Sequence, residues 1–112
     1  MKTLMYSPLL LAALLTAQVP APKPAATVHI KDDAYNPATI TVHTGESVLF
    51  VNDDDDAHTV TSTDNVFDSK GLDTNSRWQY TFTKAGNYKY FCELHPFMKG
   101  TVVVKGPSNE TH

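Results

Sequence analysis

The chain has 112 residues with nine Lys and Arg against twelve Asp and Glu, a formal charge of −3. That length holds one domain with a modest core, and the mild acidity without a basic patch or basic-aromatic interleaving excludes a nucleic-acid binder. A single cysteine rules out an internal disulfide and leaves one thiol to be explained.

The N-terminus reads as an export signal. Lys2 supplies a positive start and Leu9 to Leu15 an apolar core of signal-peptide length, with small residues at Thr16 and Ala17. The apolar run is shorter than the ~20 residues a membrane-crossing helix needs. Cleavage after Ala17 is expected, giving a periplasmic protein with no membrane span; a retained segment would instead act as an anchor. Residues 18–26, with three prolines in nine positions, read as an extended tether.

From Thr27 the pattern alternates with period two. Val28 and Ile30 alternate with Thr27, His29 and Lys31; Ile40 and Val42 alternate with Thr39, Thr41 and His43. Such alternation marks half-buried strands. The apolar run Ser47 to Asn52 predicts a more buried strand, and further strands are expected near His58–Ser62, Arg77–Thr83, Asn87–Cys92 and Thr101–Lys105. Gly86 and Gly100 read as turn points, and Thr63–Ser76 as a long connection with at most one helical turn. The fold class is therefore all-β, a Greek-key β-sandwich of seven to eight strands. The domain is expected over residues 27–106, with a disordered tail at 107–112.

Chemistry concentrates in Cys92-Glu93-Leu94-His95-Pro96-Phe97-Met98. A thiolate, an imidazole and a thioether are soft or borderline ligands, and with His58 upstream they make a His2Cys set with an axial Met. That set suits one copper ion as a blue electron-transfer site. Parity supports it, because Cys92 shares a face with Tyr88 and Tyr90, opposite Lys89, while His58 shares one with Val60. On the same argument Thr59 and Thr61 point away, and the Thr59 N–H is expected near the sulfur. His29 and His43 fall on the solvent-facing parity, and His112 is terminal. Pro96 restricts His95 to extended geometry and limits the swing of its ring. Leu94, Pro96 and Phe97 form an exposed apolar collar where redox donor and acceptor proteins would dock.

The run Asp53-Asp54-Asp55-Asp56 lacks the ligand spacing of a calcium loop and reads as a solvated acidic loop able to steer a basic partner. An oxidase or reductase would need a second metal site with more histidines, and only His29 and His43 remain in the folded region, so no enzyme is expected. A binuclear copper site needs two cysteines, and a thioether argues against zinc. The alternative function is copper delivery, although two of the three methionines fall in the signal segment.

Two stretches resemble the cupredoxins, the plastocyanin- and azurin-like blue copper proteins. They are Tyr35-Asn36-Pro37 through Ile40, Val42, Gly45, Val48, Phe50, Asn52 and His58, and the run from Tyr88 to Val104. The two-residue spacing between successive ligands in the Cys92–Met98 loop is similar to the amicyanin type. The resemblance covers about Val28 to Lys105. It implies a carrier with one type 1 copper, held equatorially by His58, Cys92 and His95 and axially by Met98, shuttling electrons in the periplasm; separately, a monomer is expected.

Overall fold

The computed structural model describes residues 21–107. The export signal expected at 1–17 lies outside the described residues, as do the start of the tether and the tail beyond Pro107. Eight strands form in chain order: β1 (Ala26–Lys31), β2 (Ala34–Asn36), β3 (Thr39–His43), β4 (Ser47–Asn52), β5 (Thr61–Ser62), β6 (Arg77–Thr81), β7 (Gly86–Phe91) and β8 (Lys99–Lys105). One sheet has the order β2-β1-β4-β6 and the other β3-β8-β7-β5. This is the expected two-sheet sandwich, and no helix occurs among the described residues.

Period two translates directly into burial. Val28 and Ile30 on β1 are fully buried while His29 between them is exposed. On β4, flanked by β1 and β6, Val48, Phe50 and Asn52 are buried and Leu49 and Val51 half-buried, which matches its less polar sequence. Two pairings are parallel, β1 with β4 and β3 with β8, so the chain must cross between sheets to make them.

Strand β2 was not among the predicted strands. Asp32 and Asp33 both adopt positive φ, 52° and 54°, and they join Lys31 to its cross-strand partner Ala34 as a two-residue hairpin. Such a turn favours Asn-Gly, so an Asp-Asp pair gives a weak signal for it.

Gly100 is a correction to the sequence reading. It lies inside β8 rather than at a turn, opposite Tyr90 of β7. A Cβ on Gly100 would fall 2.3 Å from Tyr90 Cζ, so the missing side chain makes room for the ring. That ring is central to the core: Tyr35 meets it edge-on at 4.7 Å between centroids, and Phe50 at 5.5 Å.

The connection between β5 and β6 carries no helical turn, yet it is pinned. Leu72 exchanges backbone hydrogen bonds with His58 (2.7 and 3.1 Å), and the Ser69 amide reaches Val60 O at 3.0 Å. Phe67 is buried among Trp78, Tyr80 and Phe82. Burying a side chain of that size contributes about 1.5–3 kcal/mol, which explains how a loop without repeating structure stays closed over the core.

Candidate metal centre

Cys92 follows the last residue of β7 and keeps the inward parity of the strand; it is fully buried. Three backbone hydrogen bonds then wind the chain into a tight loop. The Met98 carbonyl accepts from the Cys92 amide at 3.2 Å, the Cys92 carbonyl from His95 at 3.3 Å, and the His95 carbonyl from Met98 at 2.9 Å. This winding brings residues 92, 95 and 98 to one end of the sandwich. Met98 is buried in the core cluster, and His95 is half-buried.

His58 arrives from the segment just before β5, the strand that pairs with β7. Its backbone is fixed by the exchange with Leu72 and its side chain is fully buried. Nδ1 of His58 and Nδ1 of His95 each lie 3.7 Å from Cys92 Sγ. The two imidazoles face one another with centroids 4.8 Å apart. His58, Cys92 and His95 thus each offer a donor atom within 4.8 Å of the others. The predicted set converges from two separate parts of the chain. His29 and His43 do not join it: they are partly exposed and sit beside Asp53 and Glu46.

Two nitrogens and a sulfur converging away from water, with a buried thioether in the same loop, form a donor set that fits copper. The chain also matches the cupredoxin-like domain family over residues 4–104. It is a cupredoxin. Amicyanin from Paracoccus versutus is 32% identical over 94 residues, which cover 80% of this chain and 71% of the amicyanin. The structure of a Cu(I) amicyanin variant superposes with a TM-score of 0.70 at 31% identity, covering 80% of this chain and 88% of that one. A copper-containing nitrite reductase from Thermus scotoductus superposes with a TM-score of 0.71 at 30% identity. The match covers 84% of this chain but only 25% of the reductase. The cofactor of this cupredoxin is accordingly one type 1 copper ion, and the four residues are arranged as such a site.

Around the donors, the Thr59 amide donates to Cys92 Sγ at 3.3 Å, as the sequence led one to expect. The threonines do not point to solvent, which corrects the parity reading. Thr59 and Thr61 are both buried, their hydroxyls 2.9 Å apart, and Thr59 Oγ1 accepts the Glu93 amide at 2.8 Å. Thr59 faces the ligand loop rather than water because residues 58–60 lie outside the regular strand and β5 starts only at Thr61, whose hydroxyl is covered by Thr59 and Asp68.

The acidic run is likewise not uniformly solvated. Asp54 is 14% exposed in its side chain, and its Oδ2 lies 2.9 Å from His58 Nε2. The His58 hydrogen bond, followed by one from the Asp33 amide, holds the Asp54 carboxyl well below the usual carboxylate range, at about 2. Carboxylates of Asp33 and Asp56 lie within 4.8 Å of a His95 ring nitrogen. The sequence reading missed Asp54; the only available signal was a carboxylate four residues before a ligand histidine. Beside the loop, Leu94 and Phe97 are 56% and 69% exposed and Pro96 is also exposed.

Proposed function

We propose that this cupredoxin carries single electrons between redox proteins in an exported compartment, the periplasm. His58, Cys92, His95 and Met98 would hold the copper ion. The observation that carries the reading is the buried Cys92 Sγ with two imidazole Nδ1 atoms at 3.7 Å. Copper, when bound, supplies a one-electron Cu(I)/Cu(II) couple. The chain's own residues do the rest: they exclude water, hold both rings by backbone anchors and place an N–H on the sulfur.

Burial favours this role over copper delivery. Cys92 and His58 are fully buried and Met98 nearly so, whereas handing an ion to an acceptor needs donors that the acceptor can reach. The similarity to amicyanins, electron carriers rather than enzymes, supports a non-enzymatic role. The half-buried His95 edge within the exposed collar of Leu94, Pro96 and Phe97 is the proposed docking surface for donor and acceptor. The signal at 1–17, tether at 18–26, domain at 27–106 and tail at 107–112 complete the proposed organisation, and a monomer suffices for it.

Adding one equivalent of Cu(II) to the purified protein is expected to produce an intense visible thiolate-to-copper band. Cys92→Ser is expected to abolish it; a band that survives overturns the ligand assignment.

A further inference from the structure

We infer that Asp54 is a positioning residue of the copper site: its carboxylate decides which nitrogen of His58 keeps the proton, and its charge biases the site toward the oxidised ion. The inference rests on the proposal that His58 is a copper ligand. A neutral imidazole has one N–H and one lone pair, and an ionised carboxylate only accepts. With Asp54 Oδ2 at 2.9 Å from Nε2, the proton belongs on Nε2. Nδ1, the nitrogen facing Cys92 Sγ, then carries the lone pair that a metal needs. Asp33 Oδ1 stands at 3.7 Å from Nε2, too far to replace the bond. Losing Asp54 would leave a buried N–H without a partner.

The arrangement is built rather than incidental. Asn52, fully buried at the end of β4, accepts the Asp54 amide at 2.9 Å and donates to the carbonyls of Asp56 (2.9 Å) and Leu72 (2.8 Å). Leu72 is also the backbone partner of His58, so one asparagine ties the Asp54 turn to the segment that bears the ligand. The Asp54 oxygens are themselves held, Oδ2 by the Asp33 amide and Oδ1 by the Asp55 amide, each at 3.1 Å. A carboxylate fixed on the remote nitrogen raises the donor strength of its partner nitrogen. Its negative charge also favours the ion of higher charge.

The test separates hydrogen bond from charge. Asp54→Asn can keep an acceptor on Nε2 but loses the charge. Asp55→Asn removes one charge from the same loop without touching His58. We expect Asp54→Asn to keep the visible band while Cu(II) affinity falls about tenfold relative to Cu(I), a rise in reduction potential of about 59 mV. Asp55→Asn should move the potential by no more than a third as much. In the metal-free wild type, nitrogen NMR should find His58 as the single tautomer protonated at Nε2, with Asp54→Ala losing that preference.

Equal shifts in the two asparagine variants, an unmoved potential, or a metal-free His58 protonated at Nδ1 would each overturn the inference. The tautomer measurement needs only wild-type protein, so it decides even if Asp54→Asn fails to fold. A wild type that develops no band with copper sinks the ligand reading instead, which keeps the two failures apart.

Discussion

Thr59 holds Cys92 from one side and the ligand loop from the other. Its amide donates to Sγ at 3.3 Å, while its hydroxyl accepts the amide of Glu93, the next residue along, at 2.8 Å. One residue thereby joins the segment carrying His58 to the loop carrying the remaining donors. The amide also places a partial positive charge on the sulfur, an outer contact of the kind that tunes a metal ligand.

Truncating this side chain separates the two functions. Thr59→Ala keeps the N–H and should keep the visible band, but it orphans the Glu93 amide and takes one of two partners from the Thr61 hydroxyl, which keeps Asp68 Oδ1. A loss of about 1–2 kcal/mol is expected, read from urea unfolding. A variant as stable as wild type would mean that the hydroxyl pair contributes nothing.

Gly100 should tolerate no side chain. Alanine there would put Cβ 2.3 Å from Tyr90 Cζ, and Tyr35 and Phe50 pack against the ring and limit its escape. Overpacking of this kind costs about 1–3 kcal/mol. At Gly71, where nothing lies within 4 Å of a built Cβ, alanine should stay within about 0.5 kcal/mol of wild type. Denaturant midpoints for the two variants check the contrast.

The Tyr90 hydroxyl is buried without a partner among the described residues, and burial pushes its pKa far above the ordinary tyrosine value. The folded protein therefore keeps this proton at a pH where the unfolded chain gives it up. Stability tied to the group is intact below about pH 10, the unfolded value, and falls as pH rises above it. Tyr35 acts in the same direction, through burial and then the neighbouring charges of Cys92 and Tyr90. Tyr90→Phe should gain about 1 kcal/mol at neutral pH by deleting an unsatisfied group, and should flatten part of the alkaline decline. Melting temperatures from pH 8 to 11 would reveal either effect.

The collar prediction concerns rate rather than colour. Leu94→Glu or Phe97→Glu puts charge into an exposed apolar patch without touching a donor atom. The visible spectrum should stay unchanged, while electron self-exchange between two copies, measured by NMR in mixtures of oxidised and reduced protein, should slow by about tenfold or more. An unaltered exchange rate would place docking elsewhere.

The strands and the ligand loop were legible because both are written locally. Alternation at Val28 and Ile30, or Ile40 and Val42, reports directly which side of a sheet is buried, and the spacing of Cys92, His95 and Met98 lies within one loop. Strand β2 was not legible, since the Asp32-Asp33 turn depends on two residues accepting positive φ without the usual glycine. Gly100 was misread for a related reason: a glycine in sequence looks the same whether it makes a turn or leaves space for a ring on the neighbouring strand.

By itself, then, the chain order determined an all-β sandwich and a copper-type donor set, because side-chain period and ligand chemistry need no knowledge of distant partners. Which of four consecutive aspartates serves the site was decided only in three dimensions. Asp53, Asp55 and Asp56 have the same chemistry as Asp54. Only the buried Asn52 staple and the Asp33 amide, brought in by the β1–β2 hairpin, turn Asp54 toward His58. Contacts between residues about twenty positions apart select one carboxylate from a run that is uniform in sequence.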